Sequence, residues 1–464
     1  MSAQSLLGLL ALNTLFLLTG TSLLWALRGA KAWAELALLA GLAYLLGVAA
    51  VVVACTFLLV LGAPVGVPVV VTVAAVLAAT AVLVGRRLGR AVPARRTSGE
   101  PRVREPLRLV GLGAAVLTAA YLANMFRAAR LQSQFTFAEW DVWNSWTTKA
   151  KSFYFFDGMD VDAYATFFMP GYPIFVPTLE AMAFHFMDSP DTTTLHVQFW
   201  LLIVGFVGAV AGLLRPAVPL VVVWPFLLLL VLLPELNLHG LAPQADFTLD
   251  ILFATGGLLV ALWVVRREPW LLGAAAILFA GAATTKREGL LLVGALVVGA
   301  ILATWRDRRR TWPPLALVGV ATVAAALPWE LWRKSHDLPG QLSDSSARVG
   351  FERLDTAASS VLQILFDYDL WLIAAPLGVL AAGLVLAYGD RRLGVLYLVT
   401  ALLVAAGFAW VLAAGVEYTV GPDSDENPIP RASGAIVLLT IVLAPLMLAA
   451  AVARPGAGSG RRRR

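Results

Sequence analysis

Charge and thiols are scarce in this chain. Only 14% of its 464 residues are charged, where a soluble domain carries about a quarter. One cysteine, Cys55, stands inside an apolar run, so no intrachain disulfide framework exists and the thiol reads as packing. Four histidines, His185, His196, His239 and His336, lack the spacing of metal ligands. The apolar/polar alternation of a membrane β-barrel is missing, as are internal repeats and a soluble catalytic domain. The N-terminal stretch has no basic residue ahead of its apolar run and no small-residue cleavage signal. Arg28 and Lys31 follow the run, so it reads as a retained span and not a secretory signal.

What fills the chain is hydrocarbon: 59% of residues are hydrophobic and the mean hydropathy is +0.80. Apolar runs repeatedly reach the roughly 20 residues a helix needs to cross a bilayer. Backbone polar groups in lipid must be satisfied within each segment, so these runs are expected as helices. The predicted fold class is an all-α polytopic membrane protein with about 13 transmembrane helices. The spans fall near 5–27, 35–60, 66–85, 107–128, 193–214, 218–234, 247–265, 270–284, 289–304, 313–330, 369–388, 394–415 and 433–453.

The connections divide by charge. Residues 86–108 hold eight arginines, and further basic groups sit at 266–267, 305–310, 391–392 and 461–464. With the spans above, all of them fall on one side, and the positive-inside rule makes that side cytoplasmic. The N-terminus is then outside and the C-terminus inside. The outward segments are 130–192, 235–246, 285–288, 331–368 and 416–432. The predicted organisation is N-terminal helices with a basic loop (1–106), a transmembrane core (107–453) and a basic tail (454–464) that touches anionic lipid. The basic pI of about 9.6 reflects this topology and not nucleic-acid binding. Abundant Ala, Val and Arg point to a GC-rich bacterial source and a plasma-membrane location.

Residues 138–154, AEWDVWNSWTTKAKSFY, concentrate three tryptophans, two lysines, a glutamate and an aspartate in the longest outward segment. On a helix, Trp140, Trp143, Trp146, Ala150 and Phe153 share one face, and Asp141, Ser145, Lys149 and Ser152 the other. That pattern predicts an amphipathic helix at the outer headgroup level. A purely structural reading of the charges, as helix-end acids and snorkelling lysines, stays open. Further on, FMPGYPIFVPTLEA (168–181) spaces three prolines into a rigid turn re-entering the bilayer. Asp246 and Asp250 stand one turn apart at the outer end of a span, where intramembrane acids are functional candidates. Lys286 and Arg287 are cations on the side where cations are disfavoured. An anionic ligand would account for them, and so would pairing of Lys286 with Glu288.

The order D-x-x-x-x-W-x-x-K-A-K from Asp141, then P-x-Y-P-x-x-x-P from Pro170, resembles the first outer loop of the GT-C superfamily, membrane glycosyltransferases that use polyprenyl-phosphate sugars. QADFTLDILFA (244–254), TTKREGLLL (284–292) and the loop before Arg431 are similar to later motifs of its protein O-mannosyltransferase and aminoarabinose-transferase branch. The resemblance covers about 107–450. Where relatives often carry His-Pro-Asp-Tyr-Pro, this chain has Met169, Pro170, Gly171, Tyr172 and Pro173. The resemblance implies an inverting sugar transfer on the extracytoplasmic side, with Asp141 as general base and Glu139 as its alternative. It implies substrate contacts from Lys149, Tyr172, Asp246, Lys286, Arg287, Glu288 and Arg431; His336, in an outward segment, is a further candidate contact, with an ordinary surface histidine as the alternative. The partners it implies are a polyprenyl-phosphate sugar donor, a cell-envelope glycan, lipid or protein acceptor, and membrane lipid. No cofactor is required, and a divalent cation between outward carboxylates is left open. The alternatives are a transporter or flippase of lipid-linked sugars, or a non-catalytic subunit that binds them.

Overall fold

The structure is a computed structural model that describes residues 2–94, 108–132, 142–339, 354–413 and 429–452, with the backbone alone at 129–132, 143 and 429–432. Among the described residues there are helices and no strand. The first group comprises α1 (Ala3–Arg28), α2 (Trp33–Leu38), α3 (Ala40–Val60), α4 (Val67–Arg87) and α5 (Arg108–Gln132). A π-helical turn, Val142–Trp146, leads into α6 (Thr147–Phe155), followed by α7 (Val161–Ala165) and α8 (Phe175–Met187). Next come α9 (Thr192–Leu214), α10 (Leu220–Leu232), α11 (Pro234–His239), α12 (Ala245–Arg266), α13 (Pro269–Thr285), α14 (Glu288–Ala303) and α15 (Arg308–Ser335). The chain closes with α16 (Leu354–Leu365), α17 (Tyr368–Trp371), α18 (Ala374–Tyr388), α19 (Arg391–Ala413) and α20 (Ile429–Val452).

Nine of these helices are long and apolar enough to cross a membrane, and they coincide with nine of the thirteen expected spans. The other four, α10, α13, α14 and α18, are apolar helices of 13 to 17 residues. Two expected spans are broken. Leu39 separates α2 from α3, and Leu372, in a left-handed conformation at φ 52°, separates α17 from α18. The chain is thus a helical, multi-pass membrane protein.

Burial grades the helices by their neighbours. α12 is enclosed, with 94% of its central window buried, and packs on α9, α13, α14 and α20. A helix apolar all round must be surrounded in this way or face lipid. α4 and α5 take the second course: only 17% and 22% of their windows are buried, and Leu83, Leu109 and Val116 point outward. α1 and α3 approach to backbone contact. A Cβ at Gly20 would collide with the Ala43 carbonyl oxygen, and one at Gly47 with that of Phe16. Small residues at such crossings let dispersion bind helices that lipid would otherwise separate.

A polar clasp fixes the register of three helices. Tyr44 Oη donates to Asn13 Oδ1 at 2.7 Å, Asn13 Nδ2 donates to Gln198 Oε1 at 2.8 Å, and Gln198 Nε2 donates to Tyr44 Oη at 3.0 Å. All three side chains are buried. Replacing Gln198 by leucine removes the partner that α9 supplies to both Asn13 and Tyr44. The expected loss is about 1–3 kcal/mol, read as a lower thermal midpoint in detergent; an unchanged midpoint would show the clasp to be idle.

The connections sort to two ends. α12 runs from Ala245 to Arg266, α13 from Pro269 to Thr285, and α15 from Arg308 to Ser335. At about 1.5 Å per residue, 20 residues of α12 cover about 30 Å, the thickness of a hydrocarbon core. One end gathers the basic connections: Arg267 Nη2 meets Asp307 Oδ2 at 3.5 Å, and Arg392 lies in the field of Arg267. The opposite end carries the residues described next.

Candidate functional site

The site is built around the turn between α7 and α8. Met169 holds φ 49°, a left-handed conformation rare for a residue with a Cβ. Gly171 follows, pressed so closely on Pro339 that a Cβ would collide with its carbonyl oxygen. An aspartate at this position, as in the motif the sequence resembles, does not fit this packing. The turn's carbonyl groups are captured by side chains from three other elements. Lys149 Nζ donates to Met169 O at 2.7 Å, while Arg287 Nη2 and Trp329 Nε1 reach Gly171 O at 3.3 and 3.4 Å.

The expected helix exists as α6, but its setting differs from the expectation. Ser145, Lys149 and Ser152, expected on an outward polar face, are as buried as Trp146, Ala150 and Phe153. The reason is that α6 has protein on both sides: it packs on α8, and the 166–174 turn covers its polar face. Only at its end, with Phe155 and Phe156, do large aromatic rings stand exposed.

Lys149 is fully enclosed. Its Nζ lies 3.0 Å from Ser145 Oγ, and 5.6, 5.7 and 6.0 Å from the ring centroids of Trp146, Tyr164 and Tyr172. Burial pushes its ammonium down to about 7. Trp146 and Tyr172 meet edge to face at 5.4 Å. Behind Tyr164, Trp329 and Trp332 stack at 5.2 Å, and His336 covers Trp332 at 4.4 Å. His336 is exposed at the rim, its Nδ1 2.8 Å from Trp332 O.

Tyr172 carries the link to a second lysine. Lys286 Nζ lies 5.8 Å from the same ring and 2.8 Å from Asp246 Oδ1. Lys286 follows the last residue of α13 and Asp246 sits in the first turn of α12. The two helices pack side by side, which places the start of one against the end of the other. The alternative explanation of Lys286, pairing with Glu288, is not what forms: the direct contact is with Asp246, 40 residues away. Burial alone would lower the Lys286 ammonium, but Asp246, Glu288 and Tyr172 together hold it above the ordinary lysine range. Glu288 contributes charge without a direct bridge.

Arg287 pairs with Glu330 at 3.1 Å, and Glu330 with Arg333 at 3.0 Å, closing a chain of charges over the turn. One turn along α12 from Asp246, Asp250 is buried with Oδ2 lacking a hydrogen-bond partner among the described residues. Gly434 abuts it, where a Cβ would strike Oδ2.

Lys149, Tyr172, Asp246, Lys286 and Arg287 thus meet at one end of the bundle, with Glu288 in their field and His336 at the edge. Asp141 and Glu139 lie outside the described residues, as does the side chain of Arg431, whose backbone is in the first turn of α20. Among the described residues no group of three His, Cys, Asp or Glu is placed to hold a metal ion. Comparison with protein-family models, curated proteins and solved structures finds no match for this chain.

The sequence reading missed Tyr164, Trp329, Glu330 and Arg333. PWELWRK at 328–334 carried a signal: two tryptophans and a glutamate at the end of an apolar run. It also passed over Glu180, enclosed in α8 beside Thr147 and Lys151, a lone acid in an otherwise apolar stretch.

Proposed function

We propose that the protein is an integral membrane glycosyltransferase that moves a sugar from a polyprenyl-phosphate donor to an acceptor of the cell envelope, on the extracytoplasmic side of a bacterial plasma membrane. The observation that carries this reading is the convergence of Lys149, Tyr172, Asp246 and Lys286, from four separate stretches, at the end of the bundle opposite the Arg267–Asp307 contact. The order of motifs resembling the GT-C superfamily supports it.

In this reading Asp141 takes the proton of the acceptor hydroxyl, with Glu139 as its alternative. The acceptor oxygen bonds to the anomeric carbon, the bond from that carbon to the phosphate oxygen breaks, and the electron pair leaves with the phosphate. General-base assistance of this kind is worth about 10²–10⁴-fold. Stabilising the departing phosphate is usually the larger contribution. An ammonium has three donors, and Asp246 engages one of those on Lys286, so a phosphate can share this cation. Arg287 and Arg431 are further candidate phosphate contacts on this side. Tyr172 and Lys149 shape the wall that the sugar meets.

Protein in lipid nanodiscs, given a panel of labelled polyprenyl-phosphate sugars and envelope acceptors, is expected to transfer label. Asp141→Asn is expected to lower the rate by at least about a hundredfold with an unchanged unfolding midpoint. No transfer from any donor removes the enzyme reading; full activity of the variant removes Asp141 as base.

Asp250 favours a second reading. A buried acid within a span is a usual feature of proton- or solute-coupled transport. Flux of a fluorescent lipid-linked sugar across proteoliposomes, abolished by Asp250→Asn and not by Asp141→Asn, would select a flippase.

A further inference from the structure

At the end of α15 opposite Glu330, the chain builds a second site from other chemistry. Trp305, in the short turn before α15, meets Trp312 edge to face at 5.1 Å. Arg308 places its guanidinium carbon 5.9 Å from the Trp305 ring. Beside this pair, on the surface of α15, lies an open groove of about 420 Å³ lined by Arg308, Arg309, Trp312, Pro313 and Ala316. Below the groove the same face of α15 continues outward with Leu317, Val320 and Val323, each more than half exposed. The groove therefore has a cationic mouth, an indole rim and an apolar strip leading toward the middle of the membrane.

The charge around the mouth is one-sided. Arg266, Arg267, Arg306, Arg309, Arg310 and Arg391 lie in the connections that meet here, alongside Arg308 and Arg392. The acids among them are already engaged: Asp307 faces Arg267, Asp390 takes Arg392 at 2.6 Å, and Glu268 accepts the Trp270 indole N–H at 2.6 Å. Arg308 and Arg309 are exposed and have no carboxylate partner among the described residues. Guanidinium groups match phosphate oxygens in a bidentate fork, and indoles settle at the headgroup level. A topology signal alone needs arginines but neither the groove nor the tryptophan pair.

We propose that the groove at Arg308, Arg309 and Trp312, flanked by Trp305, is a binding site for one anionic glycerophospholipid, its phosphate on the two arginines and an acyl chain along Leu317 and Val320. The site lies on the arginine-rich side, about the length of α15 from the cluster around Lys286, and it stands whether or not the protein transfers sugar.

The test is retention of lipid on the purified full chain, counted by native mass spectrometry after mixing with equal phosphatidylglycerol and phosphatidylcholine in detergent. The wild type is expected to keep one phosphatidylglycerol with about a tenfold preference. R308Q/R309Q is expected to lose that preference, and R86Q/R87Q, at the exposed end of α4, to keep it. A second readout leaves the arginines intact: brominated phosphatidylglycerol should quench the part of the fluorescence that W305F removes, and brominated phosphatidylcholine should quench it less. Equal retention of the two lipids overturns the proposal, as does an unchanged preference in R308Q/R309Q or an equal loss in R86Q/R87Q. Displacement of the lipid by millimolar inorganic phosphate would show an anion site without a lipid.

Discussion

Lys286→Met is expected to destabilise the protein by about 3–5 kcal/mol, because it removes the ammonium that faces the buried carboxylate of Asp246. The pair is close, at 2.8 Å, and both side chains are largely covered, with 13% and 8% of their surface exposed. The reverse change, Asp246→Leu, strands the ammonium and should cost a similar amount. The double variant D246L/K286M removes both charges and should recover most of the loss, since a buried pair gains little net energy over a well-packed apolar replacement. Thermal unfolding of the three variants in nanodiscs checks this. A single variant that melts with the wild type, or a double variant worse than either single one, would overturn the account. Neutral pH should not reveal the pair. The Lys286 ammonium is held above the ordinary lysine range, so its contribution is complete below that range and is lost only as pH rises through the higher folded value.

Lys149 should behave in the opposite sense, and its signature is a slope with pH. Its ammonium titrates near 7 in the folded protein because burial disfavours the charge. In the unfolded chain it returns to the ordinary lysine value of 10.5. Between these values the unfolded state binds the extra proton, so stability rises with pH by up to about 1.4 kcal/mol per unit. From pH 7 to 9 the gain is about 2–3 kcal/mol; below 7 it flattens. The neutral amine remains well placed, because its two N–H bonds match Met169 O at 2.7 Å and Ser145 Oγ at 3.0 Å. Lys149→Met should abolish the slope and leave the Met169 carbonyl oxygen without its side-chain donor, a loss of about 1–3 kcal/mol at pH 9. Unfolding midpoints of wild type and variant between pH 6 and 9 separate the two effects, because other titrating groups cancel in the difference. Parallel curves would mean that Lys149 keeps its charge in the folded protein, held by the rings of Trp146, Tyr164 and Tyr172.

The contrast between these two lysines shows where sequence reasoning reaches and where it stops. Hydropathy finds the helices, because length and apolarity are local properties. It also places Tyr172, Asp246 and Lys286 at helix ends, where polar residues in a membrane protein collect. The partner of Lys286 was within reach: α12 begins at Ala245 and α13 ends at Thr285, and two adjacent helices joined by a short connection bring those ends together. The local alternative, Glu288, looked adequate because a single residue separates it from Lys286 in the chain. The fate of Lys149 was out of reach. A helical wheel shows which residues share a face and is silent on what covers that face. Here the cover is a turn about 20 residues further on, held through backbone oxygens that every residue type supplies. Trp329 and Glu330 are similar cases, since their roles depend on Gly171 and Arg287 arriving from distant segments.

The clasp of Asn13, Tyr44 and Gln198 also sets a timetable for biogenesis. Tyr44 and Asn13 can join as soon as α3 emerges, but Gln198 follows Tyr44 by 154 residues. At ribosomal rates that interval is roughly 8–30 s. Through it, Asn13 has Tyr44 and its own helix's Leu9 carbonyl oxygen as partners, and the third helix of the clasp is missing. The first helices therefore wait half-finished beside the insertion machinery, and the arrival of α9 commits them to their final neighbours.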